Sequence, residues 1–234
     1  MAGGTAQVTG AGIDGLEIIR KREARRMKLT VDPRSGAVRL VLPLRAALGP
    51  AMDWVEAHRG WIDRQRARLP DPWPIAMGMA VPFAGQDYVL DWSEAHPRKP
   101  ALLGERLTIG GPQDVMTSRL LRWMRAEAKA VLDAETRAIA GAANIEVAEV
   151  SVGDPRARWG SCSSNGNIRY SWRLILMPDH VRRSIVAHEV AHRVHMDHSR
   201  AFHRLEAELF GADPRTARAW LRAHGARLHW FGRD

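Results

Sequence analysis

Residues 188–199, HEVAHRVHMDHS, crowd four histidines and a glutamate into twelve positions of a chain that has ten histidines in all. Positions four apart on an α-helix are neighbours, so His188 and His192 project from one face about one turn apart, the spacing of a two-point metal clamp. Glu189 lies about 100° round from His188 and about 60° from His192 at 3.6 residues per turn. It is close enough to hold a water and not placed to compete as a ligand. A catalytic zinc takes three protein ligands and leaves the fourth position open, so the fold must bring another donor back to this helix. His195, on a continued helix, would stand about 10 Å along the axis from His188 at 1.5 Å per residue, too far to share the ion. His198 returns if the chain bends after about residue 195, with Asp197 or Ser199 capping the next helix. The expected centre is one zinc ion on His188, His192 and His198, with Glu189 as general base and His195 at the rim.

The rest of the composition narrows the alternatives. A closed structural zinc site would want a fourth ligand, usually a thiolate, and Cys162 is the single cysteine. One cysteine also precludes an intrachain disulfide, so the expected compartment is the cytoplasm. No run of about 18 apolar residues is present to span a bilayer, and no membrane association is expected. The first fifteen residues, small and Gly-rich, read as a flexible tail without the features of a secretory signal.

Along the chain, MKLTVDP and AVRLVLP alternate apolar and polar residues across DPRSG, which reads as a hairpin over 27–43 with Leu29 and Val31 facing Val38 and Leu40. Pro50 begins a helical pattern carrying Trp54, Ala57, Trp61 and Ile62 as far as Leu69. Strands are expected at 79–83, 87–91 and 106–109, and GGPQD at 110–114 marks a composition shift into an Ala-rich helix over 115–140. Beyond it, IEVAEVSVG and NIRYSWRLILM read as strands, the second with Ile168, Tyr170, Trp172, Leu174 and Leu176 on one buried face. Pro178 opens the helix that carries His188 and His192. Two more helices, 199–209 and 213–225, finish the chain, the last closed by Gly225. The expected fold class is α+β, with a tail over 1–15, a β-rich N-terminal α/β subdomain over 16–111 and a catalytic subdomain over 112–234 that combines a mixed sheet with the HExxH helix.

RWGSCSSNGNIRYSWRLILMP at 158–178, followed by HEVAH and DHSRAF, resembles the YgjP-like metallopeptidase domain, a bacterial zincin family related to the SprT-like proteins. The likeness runs from about residue 16 to 230 and takes in VDP of the basic hairpin, the Trp-rich helix and WLRAHGARL near the end. It implies a zincin-like catalytic subdomain and a zinc-dependent hydrolase, with His188, His192 and His198 as ligands and Glu189 as general base. Val190, Asp197 and His203 depart from residues common in the family, and of these His203 could alter the substrate cleft.

A metal-activated water attacks either a carbonyl or a phosphoryl centre. The substrate is therefore expected to be a peptide or protein, with nucleoside triphosphates as the alternative. Arg158, Tyr170 and His195 are candidates for a second group that stabilises the developing oxyanion. The strand over 168–176 could bind extended peptide by strand addition. Trp159 is expected to pack, Gly160 to permit a bend, and Cys162 to be an inert thiol. The net charge of +9 favours acidic partners, so nucleotide or nucleic acid could bind the basic surface. RKREARRMK at 20–28 holds six basic residues and one acid, and Arg215, Arg218 and Arg222 form a second candidate stripe.

Overall fold

In the computed structural model, which describes residues 5–7, 13–155 and 158–233, the chain divides into two units, 1–72 and 73–234. The first builds on the expected hairpin. Strands β1 (Thr5–Gln7), β2 (Leu16–Lys21), β3 (Lys28–Val31) and β4 (Val38–Pro43) form a sheet in the order β1-β2-β4-β3. In the hairpin, Leu29 pairs with Leu40 and Val31 with Val38. Its turn is tied by Asp32, whose carboxylate accepts from the Arg34 N–H at 3.0 Å and whose carbonyl accepts from Gly36 at 2.8 Å. Strand β2 lies parallel to β4, and β1, within the stretch expected to be a tail, pairs antiparallel with β2.

The helix expected from Pro50 to Leu69 is two helices, α1 (Leu48–Ala57) and α2 (Arg59–Arg66), separated at His58. The His58 ring donates from Nδ1 to the Trp54 carbonyl at 2.7 Å, the acceptor its own N–H would use in a continuing helix. That N–H turns instead to Val55 O at 3.0 Å. Val38, Leu40, Leu42, Val55 and Ile62 fill the core of this unit, while Trp54 and Trp61 are half-buried at its margin.

The second unit opens with β5 (Ala80–Phe83), β6 (Gln86–Trp92), β7 (Ala101–Leu103) and β8 (Arg106–Ile109), in sheet order β5-β6-β8-β7. Helix α3 (Met116–Ala142) carries a buried stripe of Met116, Leu120, Met124, Ala128 and Leu132 at four-residue steps. The stripe joins one core with Val81, Leu90, Leu107 and Ile109 of the sheet, and Trp123 stacks on Phe83 with centroids 5.0 Å apart. The boundary expected at 110–114 therefore lies inside this unit. The composition shift there marks a strand-to-helix turn, with α3 and the strands before it sharing one core.

Strands β9 (Val150–Gly153), β10 (Gly160–Cys162) and β11 (Ile168–Ser171) make a mixed sheet in the order β10-β11-β9, followed by helices α4 (Asp179–Ala191), α5 (Arg200–Phe210) and α6 (Arg215–Leu228). The long strand expected through 177 ends at Ser171. Trp172–Leu176 is a 3-10 segment with all five residues buried, so the alternation of apolar positions was not that of a one-faced strand. Arg173, polar in the pattern, is itself buried against Asp154 at 3.2 Å and the Trp172 ring at 4.5 Å. Gly225 does not close α6, which runs on to Leu228; a β-carbon at Gly225 would stand 3.2 Å from the Trp159 ring. The elements give an α+β fold, and among the described residues no helix is long and apolar enough to cross a membrane.

Candidate metal centre

The end of α4 and the bend after it bring the three expected histidines together. His188 lies in the last turn of the helix and His192 at its C-cap. The chain then turns: the His195 N–H bonds Ala191 O at 3.0 Å, and the His195 carbonyl accepts from His192 Nδ1, also at 3.0 Å. Asp197 and Ser199 close the bend, Oδ1 of the first accepting from the Ser199 N–H at 3.2 Å and Oγ of the second capping α5 through the Phe202 N–H at 3.3 Å. His198 is thereby returned to α4, with its Nε2 3.4 Å from Nε2 of His188. One nitrogen from each of His188, His192 and His198 lies within 4.8 Å of the others, and the cluster could hold a metal ion.

What fixes the rings is a layer of contacts beneath them. Phe202, fully buried, touches all three imidazoles, with centroids 5.0 Å from His188, 4.5 Å from His192 and 4.8 Å from His198. Glu206 Oε1 accepts from His188 Nδ1 at 2.9 Å, and Oε2 takes bonds from His203 Nδ1 at 3.1 Å and from the Arg218 guanidinium. Burial pushes the Glu206 pKa up, but the bonds from His188, Arg218 and His203 outweigh it and hold the carboxyl at about 2. Burial lowers the pKa of His192 and favours the neutral imidazole, the form that binds metal.

Glu189 sits beside the cluster in a pocket of about 270 Å³ lined by Arg158, Trp159, Gly160, Ser184, Ile185, His188, Glu206, Arg218 and Leu221. It is 5 % exposed, and burial raises its pKa to about 7 against the opposing pull of His188 and Arg158. Gly160 leaves the room it needs: a β-carbon there would stand 2.5 Å from Oε1 of Glu189. The glycine is required by close approach rather than by the bend expected of it.

The other candidates separate. Arg158 faces the pocket. Tyr170 does not: it is wholly buried, its hydroxyl 3.0 Å from Oγ1 of Thr136, and burial raises its pKa. A strand residue pointing into the core cannot meet substrate. His195 acts through its backbone carbonyl, which orients His192, and its ring is not among the clustered donors. Strand addition along 168–176 is also excluded, because β11 is paired on both sides, by β10 and by β9. Cys162 is half-buried, and burial raises the pKa of its thiol despite Arg193. Trp159 packs against His229, with centroids 4.7 Å apart.

Sequence reasoning missed Glu206 and Phe202, and read Arg218 as part of a basic stripe where it instead holds Glu206. The available signal was faint: His203 and Glu206 sit three apart on the helix after the bend, which makes them neighbours on one face. His203, a departure in the sequence pattern, is one of the groups that hold Glu206.

Residues 25–224 match the model of the family described as YgjP-like, metallopeptidase domain. The chain belongs to the YgjP-like family. Neither the curated proteins nor the solved structures contain a match to it. In this YgjP-like chain the family's metallopeptidase designation meets a three-histidine cluster able to hold a divalent metal, which supports hydrolase chemistry.

Proposed function

We propose that the chain is a zinc-dependent metallopeptidase of the zincin type, with His188, His192 and His198 as ligands and Glu189 as general base. The observation that carries the reading is the inward convergence of three imidazoles beside a buried carboxylate. The donor set fits zinc. With Nδ1 of His188 and His192 engaged by Glu206 and the His195 carbonyl, Nε2 of each is left as the donor. Nε2 of His188 and Nε2 of His198 stand 3.4 Å apart, and one nitrogen from each of the three rings lies within 4.8 Å of the others, so the three neutral imidazoles would hold a divalent ion such as zinc. A zinc held there would polarise the scissile carbonyl and acidify a water.

The chain's own residues do the rest. Glu189, with a pKa raised by burial to about 7, accepts the water's proton and passes it to the leaving amine. Arg158 lines the same pocket, which supports it as the group that steadies the developing oxyanion. Extended peptide is expected along β10 instead of β11. Among the described residues the outer edge of β10 has no strand partner, and its Gly160 adjoins Glu189.

The test compares metal content and turnover of a peptide library for the purified protein, His192→Ala and Glu189→Gln. The expected outcome is about one zinc per chain, lost in His192→Ala and kept in Glu189→Gln. Peptide cleavage should fall about 10²–10⁴-fold in Glu189→Gln. Pyrophosphate release from nucleoside triphosphates that depends on Glu189, with no peptide cleaved, would instead establish the phosphoanhydride reading.

A further inference from the structure

We propose that the N-terminal unit carries a second site, separate in chemistry from the metal centre, that binds single-stranded nucleic acid. It is a groove of about 850 Å³, lined along one wall by Lys21, residues 23–29 and Val41, with Glu23 as its one acid, and along the other by Trp54, His58 and Trp61 of α1, α2 and the break between them. Its cations are Lys21, Arg25, Arg26 and Lys28, all exposed.

The charge of this groove is not consumed by the fold. Outside Arg20–Lys28, the seven basic and seven acidic residues of 1–72 balance, so the positive excess of the unit resides in that segment. Ion pairs in the unit join Arg34 to Asp32, Arg39 to Glu17 and Arg59 to Glu56. Arg20 is spent on structure, donating to the carbonyls of Leu44 and Ala46 at 2.8 Å. Among the described residues, no carboxylate pairs with the four groove cations. The other basic stripe, on α6, differs: Arg215 is held by Asp213 and Arg218 by Glu206.

The aromatic wall selects the class of anion. Trp54 and Trp61 are half-buried, packed on the core and also lining the groove. The His58 ring lies 4.3 Å from that of Trp54 and is anchored by its bond to the Trp54 carbonyl. Exposed cations beside indole faces suit a ligand that carries regularly spaced phosphates and unstacked bases. A duplex offers the phosphates but keeps its bases stacked and out of reach, and an acidic peptide offers charge without flat partners for two indoles. A membrane surface would call for exposed apolar side chains at the groove, yet the large exposed hydrophobics described in this unit are Leu44 and Leu48, away from its walls.

The experiment is fluorescence anisotropy of labelled oligothymidylate, oligouridylate and a duplex with the full chain at several salt concentrations. A single strand should bind, with affinity falling at least tenfold between about 50 and 200 mM salt, and the duplex should bind more weakly. The double variant Arg25→Ala/Arg26→Ala should lower affinity about tenfold and reduce the salt slope by about 0.7 per removed charge, while cleaving peptide as before. Trp61→Leu should weaken binding without changing the slope, and Trp61→Phe should retain it. The preferred strand, DNA or RNA, names the natural ligand class. Absence of binding at low salt overturns the proposal, as does a duplex bound equally well or an affinity indifferent to loss of Arg25 and Arg26.

Discussion

A β-carbon at position 160 would stand 2.5 Å from Oε1 and 2.7 Å from Cγ of Glu189, so glycine there sets where the carboxylate lies. Gly160→Ala must displace the Glu189 side chain, and a shift of about 1 Å in a catalytic group can cost about 100-fold in rate. The expected outcome is a folded protein with unchanged metal content and a kcat for peptide lowered by about that factor. Normal turnover would show that Glu189 has freedom to spare. Glu206 has a different job, holding the His188 ring through Nδ1. Glu206→Gln should weaken metal affinity about 10–100-fold, measured by competition with a chelator, because a neutral amide orients the ring less firmly and makes its nitrogen less basic.

Tyr170 tests whether β11 serves structure or catalysis. Tyr170→Phe leaves the buried Thr136 hydroxyl without its partner, which should cost about 1–3 kcal/mol in urea unfolding with kcat unchanged. Loss of turnover would restore the tyrosine to the site. The turn between β3 and β4 makes a pH prediction. Asp32 is buried, which raises its pKa, but the Arg34 N–H and the charges of Arg34 and Arg39 hold it below the usual 3.8. A carboxylate with a depressed folded pKa contributes stability above its unfolded pKa and loses it as pH falls through the folded one. The first unit should therefore weaken as pH falls through and below about 4, and Asp32→Asn should flatten that slope in acid titrations followed by circular dichroism. These elements also show what the sequence made legible. The hairpin, α4 and the bend to His198 were readable because period, turn residues and caps agree locally, as Ser199 shows. The break at His58 depends on one ring taking one carbonyl, and the 3-10 segment at 172–176 on burial from every side, neither of which leaves a periodic signal. Glu206 was hidden because its partners, His188 and Arg218, come from two other helices.

The two units have separate cores, one built on Leu40, Val55 and Ile62, the other on Leu120, Met124, Leu174 and their neighbours. All three clustered histidines belong to the second, and they join the end of α4 to the bend that starts α5. Metal that binds only the folded cluster stabilises that unit by linkage, about 2.7 kcal/mol when free metal exceeds its dissociation constant about 100-fold. For a unit of this size, each kcal/mol is about 2–4 °C in Tm. Chelation should thus lower the unfolding transition of 73–234 by about 5–10 °C in calorimetry and leave the transition of 1–72 where it was. Glu189→Gln, which keeps the ligands, should show the full shift, and His192→Ala should show none. If chelation moved both transitions together, the units would unfold as one. If it moved neither in zinc-loaded protein, the imidazoles would not be gripping an ion, and the chemistry assigned to Glu189 would lose its foundation.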